Sequence, residues 1–325
     1  MKRDAVLVTG GNSGIGFECA RKLAGAGWRV LIASRDGEAS AAAVRRIVRE
    51  SGNDAVADMS VDLGSIVSVR ELARAIEREE IPLRAIVCNA GLQMTQGRRV
   101  SADGFELTFA VNHLGHFLLA NLLLARLIAN TPARIVVVSS GVHDPKLRTG
   151  MPKPELTDLA TLAETGGPRK GQFDGRLAYV NSKLCNLWFA YELARRIDAA
   201  GLCHDEGRLT VNAFDPGLVP GSGLARDYPP VLRFMWLRIL PAVARVLSPV
   251  VPGISPKQKA GGALAHMVLD PPLGRVSGKY FPSHARWHEA PSSSASYDLE
   301  RARSLWEASV RMTGLTSQDS PLLRT

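Results

Sequence analysis

The chain has 325 residues, of which 46% are hydrophobic and 22% are charged, which is ordinary for a globular protein. The formal net charge of +9 comes from basic residues spread along the chain, and only 6% of residues are aromatic, so an interleaved basic and aromatic nucleic-acid surface is not expected. The start of the chain lacks the apolar run of a signal peptide, and no long apolar stretch predicts a transmembrane helix.

Seven short apolar runs predict β-strands, with amphipathic segments between most of them. The runs, in chain order, are 5–9, 29–34, 55–61, 84–90, 134–140, 209–214 and 278–281. Helical patterns include 14–27, 65–80, 103–129 and 176–197. This alternation predicts an α/β fold with a doubly wound parallel sheet of about seven strands and helices on both faces. No shift in composition marks a second domain, so residues 1–325 are expected to form a single one.

Two irregular segments interrupt this alternation, at about 142–175 and 220–256. Both follow predicted strand ends, where open parallel sheets place their ligands, and both are expected to cover the site. The second holds apolar residues and scattered arginines, and it predicts either a lid over a bulky hydrophobic substrate or a helix lying on a membrane. Its residues are Leu224, Arg226, Tyr228, Val231, Leu232, Arg233, Phe234, Met235, Trp236, Leu237, Arg238 and Leu240.

A glycine-rich turn follows the first predicted strand and leads directly into a helix. Gly10, Gly14 and Gly16 would allow a tight turn, close approach of a pyrophosphate and close packing of the helix, which is typical of a Rossmann-type dinucleotide site. The second strand ends at Ser34 without the acidic residue that would hold the ribose of NAD. Because the planar donors of Arg35 suit a 2′-phosphate, the predicted cofactor is NADP(H). A solvated loop arginine is the alternative.

Tyr179 and Lys183 lie one turn apart on a predicted helix, so their side chains can meet. A nearby ammonium group favours the phenolate and would lower the pKa of the tyrosine, which suits acid–base catalysis. Packing of both side chains on the helix surface is the alternative, and this spacing alone does not decide between them.

Five motifs together resemble those of the short-chain dehydrogenase/reductase family, in the family's order. They are TGGNSGIG (9–16), NAG (89–91), VNHLGHF (111–117), VVVSS (136–140) and YVNSK (179–183). The resemblance is closest to the branch of light-dependent protochlorophyllide reductases and retinol-dehydrogenase-like enzymes. Those reductases carry a cysteine after a Pro-Gly pair where this chain has Leu218, which argues against the light-driven reaction.

The resemblance implies a role for each catalytic residue. Tyr179 would be the acid or base, Ser140 would hold the substrate oxygen, Lys183 would bind the nicotinamide ribose, and Asn112 would hold a relay water. The implied cofactor-binding residues are Gly10, Asn12, Ser13, Gly14, Ile15, Gly16, Arg35, Asp62, Leu63, Asn89, Ala90, Gly91, Tyr179, Lys183, Pro216, Gly217 and Val219.

Several of these residues also have purely structural alternatives. Asp62 is expected to contact adenine, or else to cap the helix that starts near Ser65. Asn112 could satisfy backbone groups inside its helix, and Ser139 is expected to be structural.

Other polar residues are not expected to carry chemistry. His113 and His116 are expected to pack or cap and not to bind a metal, because no further ligand is evident. His143 is either a substrate contact or a plain loop residue. The cysteines are expected to be reduced and mostly buried, as in a cytosolic protein; they are Cys19, Cys88, Cys185 and Cys203.

The predicted function is an NADP(H)-dependent oxidoreductase that acts on a carbonyl or alcohol of a bulky hydrophobic substrate. A C=C reductase of protochlorophyllide reductase type is one alternative. A non-catalytic dinucleotide-binding regulator is the other, although it would not need the serine, tyrosine and lysine. We expect a cytoplasmic location with possible membrane contact, a possible homo-oligomer, and neither a metal nor a nucleic-acid partner.

Overall fold

Seven parallel strands form the central sheet in the computed structural model, which describes residues 3–155, 158–168, 172–202, 208–247, 251 and 253–323. The spatial order is β3-β2-β1-β4-β5-β6-β7. This arrangement confirms the predicted doubly wound parallel sheet. The strands are β1 (Ala5–Thr9), β2 (Arg29–Ser34), β3 (Val56–Ser60), β4 (Leu83–Cys88), β5 (Ala133–Val138), β6 (Leu209–Asp215) and β7 (Tyr280–Pro282).

Helices follow most of the strands and cover both faces of the sheet. They are α1 (Gly14–Gly25), α2 (Gly37–Ser51), α3 (Ile66–Arg78), α4 (Leu107–Phe109), α5 (Gly115–Leu122), α6 (Leu124–Ala129), α7 (Leu159–Thr165), α8 (Gly175–Ala199), α9 (Pro230–Phe234), α10 (Leu240–Leu247), α11 (Lys257–Leu269) and α12 (Leu299–Thr313). One π-helical turn joins α4 to α5, at Ala110–Leu114, and another joins α9 to α10, at Met235–Ile239.

The sheet is buried on both faces, which explains why its strands read as continuous apolar runs. Every residue of β1 is buried, and so is every residue of β6. One core packs α3, α5, α8 and α12 against the sheet, and a second packs α1, α2 and α11 on the opposite face. Side chains of these two strands therefore do not alternate between core and solvent, whereas those of the edge strand β3 do.

The strand order reverses between β1 and β4. In open parallel sheets, ligands bind in the crevice at such a reversal, beyond the carboxyl ends of the strands. The residues that follow β1, β4, β5 and β6 therefore meet at one edge of the sheet.

The described residues contain no helix able to span a membrane, no metal-binding group and no paired cysteine. None of their helices reaches the combination of length and hydropathy that a bilayer-spanning segment requires. No group of His, Cys, Asp or Glu side chains among them could hold a metal ion. Cys19, Cys88 and Cys185 are free and buried, whereas Cys203 lies outside the described residues.

Candidate active site

The glycine-rich turn between β1 and α1 has a backbone that other residues would strain. Gly10 and Gly14 have φ angles of 65° and 61°, in the left-handed region that favours glycine. A Cβ atom on Gly16 would lie 2.5 Å from the Gly10 carbonyl oxygen and 2.5 Å from Asn89 Nδ2. Gly16 therefore lets α1 pack closely on the turn, and the helix N-terminus opens toward the crevice as a site for anions.

Thr9 connects the ends of β1 and β4 beneath this turn. Its hydroxyl donates to the Val87 carbonyl oxygen at 3.2 Å and accepts from the amides of Asn89 and Ala90 at 2.9 and 3.0 Å. His116 Nε2 lies 2.9 Å from the same hydroxyl, and Asn89 Nδ2 donates to the Thr9 carbonyl oxygen at 2.8 Å. His116 therefore packs in the interior as expected, Asn89 supports the turn, and the sequence analysis assigned no role to Thr9.

The end of β2 presents one positive side chain to the crevice. Arg35 is exposed and lines the cavity. Asp36 follows it, but its carboxylate accepts a hydrogen bond from the Ala39 amide at 2.9 Å and caps α2. Asp36, the acidic residue nearest to the end of β2, is therefore the N-cap of a helix.

Asp62 follows β3 and also lines the cavity. Its Oδ1 accepts from the Gly64 amide at 2.9 Å. The capping alternative for Asp62 is wrong, because the N-cap of α3 is Ser65, whose hydroxyl accepts from the Ser68 amide at 3.3 Å. A hydroxyl directly before the helix is better placed for the first-turn amides than a carboxylate three residues earlier.

Ser140, Tyr179 and Lys183 meet on the wall of the same cavity. Ser140 follows β5, while the other two lie in the N-terminal half of α8. The Ser140 hydroxyl lies near the Tyr179 phenol and acts to lower its pKa. Lys183 Nζ donates to the Val138 carbonyl oxygen at 3.0 Å and lies 5.5 Å from the centre of the Tyr179 ring. Ser139 donates to the Lys183 carbonyl oxygen at 2.8 Å, which confirms its structural role.

Burial dominates the acid–base properties of this group. Burial and the Asp215 carboxylate raise the pKa of Tyr179 well above its ordinary value, and the Ser140 hydroxyl opposes them. This direction is opposite to the one expected from Lys183, whose ammonium is directed at a carbonyl oxygen. Burial lowers the pKa of Lys183 to about 8, with Asp215 opposing. At neutral pH the phenol is a proton donor, and the amine is mostly protonated.

Asn112 lies in the π-helical turn between α4 and α5, and it is buried. Its Oδ1 accepts from the Leu92 amide at 2.9 Å, and its Nδ2 donates to the Leu92 carbonyl oxygen at 3.0 Å and to Ser182 Oγ at 2.9 Å. The structure thus shows the backbone-satisfying role. Asn112 does not line the cavity, whereas its neighbour Gly91 does, and a Cβ atom on Gly91 would lie 3.4 Å from Asn112 Oδ1. The relay water stays a prediction.

Asp215, the last residue of β6, is a member of the site that the sequence analysis missed. It is 2% exposed and lines the cavity. Its Oδ1 accepts from the Gly217 amide at 2.8 Å, and its Oδ2 accepts from the Tyr280 hydroxyl at 3.2 Å. An acidic residue directly before Pro216, at the end of a predicted buried strand, was the available signal.

His143 and His113 are buried and form hydrogen bonds within the protein interior. Nδ1 of His143 lies 2.6 Å from the Ser140 carbonyl oxygen, and its Nε2 accepts from the Ser293 amide at 3.2 Å. Its ring is buried, so it is neither a plain loop residue nor a cavity-lining group. His113 Nε2 lies 2.9 Å from Ser309 Oγ, and burial lowers the pKa of His113 to about 3, so the ring is packed in the interior as expected.

A cavity of about 1280 Å³ runs from the glycine turn to the catalytic residues. Of the predicted site residues, Gly16 and Asn112 lie behind its wall. The others line it: Gly10, Asn12, Ser13, Gly14, Ile15, Arg35, Asp62, Leu63, Asn89, Ala90, Gly91, Ser140, Tyr179, Lys183, Pro216, Gly217 and Val219.

The two irregular segments contribute to the wall unequally. From the first, Leu147, Arg148, Thr149 and Met151 line the cavity, while 156–157 and 169–171 lie outside the described residues. From the second, Tyr228 and Trp236 line it, together with Ser222, Gly223, Gly253 and Ile254. Positions 248–250 and 252 lie outside the described residues, as do the side chains of Leu224 and Arg226. The remaining apolar lid candidates, apart from the half-buried Leu240, face solvent: Val231, Leu232, Phe234, Met235 and Leu237.

Comparison with known proteins assigns the family. The short chain dehydrogenase family model matches residues 4–149. Protochlorophyllide reductase B of Oryza sativa subsp. japonica is 32% identical over 335 aligned residues, covering 98% of this chain and 79% of that protein. The WW domain-containing oxidoreductase of Danio rerio is 34% identical over 307 residues, covering 94% and 68%.

A solved structure of an uncharacterized protein from Mycobacterium Paratuberculosis superposes with a TM-score of 0.69 at 28% identity, covering 96% of this chain and 94% of that one. The chain therefore belongs to the short-chain dehydrogenase family of oxidoreductases. Within that family, its curated relatives place it near the protochlorophyllide reductases.

Proposed function

We propose that the chain transfers hydride between NADP(H) and a carbonyl or alcohol group of a bulky hydrophobic substrate. The observation that carries this proposal is the meeting of Ser140, Tyr179 and Lys183 in the cavity that the glycine turn also lines. A dinucleotide-binding regulator would need the turn but not the serine, tyrosine and lysine. The free, buried thiols of Cys19, Cys88 and Cys185 support a cytoplasmic location.

The residues present fit the proposed cofactor. A side chain on Gly10 would crowd Ala90 and Asn89, at 3.1 and 3.2 Å, so a glycine keeps this approach to the crevice clear. The N-terminus of α1 suits a pyrophosphate, and Arg35 supplies a planar cation for a 2′-phosphate. One oxygen of the Asp36 carboxylate caps α2, so this acid is partly engaged, although it also lines the cavity. These features favour NADP(H) over NAD(H).

Residues of the chain itself would donate or accept the proton. When bound, the nicotinamide supplies or accepts the hydride. In reduction, the Tyr179 phenol gives its proton to the carbonyl oxygen, which becomes the alcohol, and the Ser140 hydroxyl hydrogen-bonds to that oxygen as its charge develops. The Lys183 ammonium, 5.5 Å from the phenol ring, stabilises the tyrosinate that remains. In oxidation, the same groups act in reverse.

The walls beyond the catalytic residues suggest the substrate class. Leu147, Met151, Leu218, Trp236 and Ile254 are apolar residues that line the cavity. Ligand sites of this kind are mostly apolar, with a few polar groups that fix orientation. A large hydrophobic molecule that carries one reacting oxygen fits this lining.

A C=C reductase of protochlorophyllide reductase type is the second candidate. The observation in its favour is the similarity to protochlorophyllide reductases along 98% of this chain. Leu218 lines the cavity at the position where those enzymes carry a cysteine, and a leucine side chain has no proton to give. Illumination in the presence of a tetrapyrrole substrate separates this candidate from the first.

Cofactor preference is tested by fluorescence titration with NADPH and NADH. If Arg35 binds the 2′-phosphate, Arg35→Ala should weaken NADPH binding about tenfold or more and leave NADH binding unchanged, because a charge-assisted hydrogen bond is lost only with the phosphorylated cofactor. Equal losses for both cofactors would contradict the assignment of Arg35. No binding of either cofactor to the unaltered protein would overturn the dinucleotide site.

The reaction is tested with bulky ketones, aldehydes and alcohols in the dark. Tyr179→Phe removes the proton donor but keeps the ring, so turnover should fall by about 10²–10⁴-fold while NADPH affinity stays the same. Turnover that survives this change would show that Tyr179 is not the acid. Turnover of a tetrapyrrole only under illumination would favour the second candidate.

A further inference from the structure

The helical segment 230–247 exposes an apolar surface. It consists of α9, a π-helical turn and α10, and its 18 residues span about 27 Å at 1.5 Å per residue. Val231, Met235, Ile239 and Val243 recur every four residues and so follow one side of the segment. All four are exposed, from 40% for Met235 to 72% for Val231. An exposed apolar surface of this extent marks an interaction site.

Few contacts attach this segment to the rest of the protein. Trp236 Nε1 donates to the Ser222 carbonyl oxygen at 3.1 Å, and Ala244 is buried. Trp236 lines the cavity from the inner side of the segment, and its ring centre lies 6.2 Å from that of Tyr228, which precedes the segment and also lines the cavity. The inner side therefore already serves the site, and the four exposed residues have no partner among the described part of the chain that would bury them.

The charge around this surface has one sign. No Asp or Glu occurs at positions 228–269, whereas three arginines and two lysines do. Arg233, Arg238 and Arg245 lie on the segment itself, and none of them forms an ion pair with a described carboxylate. Unpaired cations beside an apolar face, with no acid among them, complement a surface that is both apolar and anionic.

We propose that segment 230–247 docks on the surface of an anionic lipid bilayer, with its apolar face among the acyl chains and its arginines at the headgroups. An anionic bilayer provides both an apolar interior for the exposed side chains and negatively charged headgroups for the arginines. A second copy of this chain, packed through the same face, would bring identical arginine sets together, which costs free energy. Because Tyr228 and Trp236 line the cavity, docking sets this wall of the site beside the bilayer, where hydrophobic molecules partition.

Cosedimentation with lipid vesicles tests this docking without cofactor or substrate, so its result is independent of the proposed reaction. Two vesicle types are used, pure phosphatidylcholine and an equimolar mixture of phosphatidylcholine and phosphatidylglycerol. The protein should bind the anionic vesicles and dissociate from them as the salt concentration is raised. Its partition coefficient on the zwitterionic vesicles should be lower by at least about tenfold. Equal binding to both types, or to neither, would overturn the proposal.

Two variants locate the contact. Arg238→Glu/Arg245→Glu should lower the partition coefficient on anionic vesicles by at least about tenfold, because each cation near such a surface contributes to binding. Val231→Asn/Ile239→Asn should lower binding to a similar extent by removing buried apolar area. Thermal unfolding, followed by circular dichroism, verifies that both variants stay folded. Unchanged binding of either variant contradicts docking through this segment.

Matched controls distinguish vesicle binding through this surface from nonspecific electrostatic or hydrophobic binding. Arg74→Glu/Arg78→Glu makes the same charge change on the exposed face of α3, and Val67→Asn removes an exposed apolar side chain there. Both controls should bind vesicles as the unaltered protein does. Dimerisation that Val231→Asn/Ile239→Asn abolishes, without vesicle binding by the unaltered protein, would assign the surface to a second copy and overturn the proposal.

Discussion

Asp215 places a fixed negative charge at the residues that move the proton. Its two oxygens are held by the Gly217 amide and the Tyr280 hydroxyl, so the carboxylate cannot turn away from the cavity. It raises the pKa values of both Tyr179 and Lys183. A carboxylate here therefore disfavours the tyrosinate and favours the ammonium, which makes Tyr179 a weaker acid and a stronger base.

Replacing this carboxylate should move the pH dependence of catalysis. Asp215→Asn keeps the shape of the side chain and an acceptor for the Gly217 amide, but it removes the charge. The pKa of Tyr179 should fall, because the nearby anion no longer opposes its deprotonation. Alcohol oxidation needs the tyrosinate, so the rise of its rate with pH should begin at lower pH. The pH profile of kcat/KM measures this shift.

The control for this experiment keeps the charge and removes only its hydrogen bond. Tyr280→Phe leaves the Asp215 carboxylate in place without the 3.2 Å contact to the hydroxyl. Its pH profile should match that of the unaltered protein. Two results would contradict the electrostatic role of Asp215. One is a pH profile of Asp215→Asn that moves to higher pH, and the other is a Tyr280→Phe profile with the same shift as Asp215→Asn.

Residue-level prediction succeeded where a motif fixes both residue type and spacing. Tyr179, Lys183 and Ser140 meet as expected, because one helix and the end of one strand determine their positions. Asp215 and Thr9 were missed because their roles depend on neighbours distant in sequence, Tyr280 and His116 respectively. The raised pKa of Tyr179 was missed for a related reason: burial is a property of the packed molecule, and no spacing along the chain encodes it.

At the scale of elements, the close packing of α1 against α11 positions the anion-binding helix. A Cβ atom on Gly261 would lie 2.4 Å from Glu18 Cβ, 2.9 Å from the Ile15 carbonyl oxygen and 3.0 Å from the Cys19 amide nitrogen. Two of these contacts are with backbone, which cannot move aside as a side-chain end can. The position of α1, and of the turn before it, therefore depends on a glycine more than two hundred residues away.

Gly261→Ala should weaken both folding and cofactor binding. The added methyl group pushes α1 away from α11, which should lower the free energy of unfolding by about 1–3 kcal/mol, as overpacking does. The glycine turn moves with α1, so NADPH affinity should fall as well. Urea unfolding and fluorescence titration measure the two effects.

Gly262 provides a control one residue along the same helix. No atom lies within 4 Å of a Cβ added there. Gly262→Ala should be neutral or stabilise by up to about 1 kcal/mol, because alanine favours the helix, and it should leave NADPH affinity unchanged. Similar destabilisation by both substitutions would show that the contact with α1 is unimportant.

The elements themselves were largely predictable, and the exceptions have physical causes. All seven strands appear at the predicted places, since fully buried parallel strands leave continuous apolar runs. The long helical pattern at 103–129 is instead divided into α4, a π-helical turn, α5 and α6. The irregular segment at 220–256 was predicted to be a lid or a helix lying on a membrane, and residues 230–247 within it form α9, a π-helical turn and α10 with an exposed apolar face. The sequence left the two alternatives open, because periodicity shows that an apolar face exists and not what covers it.

For the whole molecule, α12 joins the C-terminal region to the middle of the chain. The Trp306 ring lies 4.9 Å from the Phe117 ring, centre to centre, and the Arg196 guanidinium lies 4.6 Å above it. Farther along, Arg70 Nη1 and Asp319 Oδ1 form an ion pair at 2.8 Å. These contacts connect α12 and the residues after it to α3, α5 and α8, so the C-terminal region completes the core on that face of the sheet.

A single cooperative unfolding transition should follow if residues 1–325 form one domain. Trp306→Ala removes a buried aromatic side chain and should lower the free energy of unfolding by about 3–5 kcal/mol. Since the core is shared, this loss should shift one transition, and far-ultraviolet circular dichroism and intrinsic fluorescence should give the same midpoint. Leu299→Ala, at an exposed position of the same helix, should change stability by less than about 0.5 kcal/mol. Two separated transitions, with only one moved by Trp306→Ala, would instead divide the chain into independent folding units.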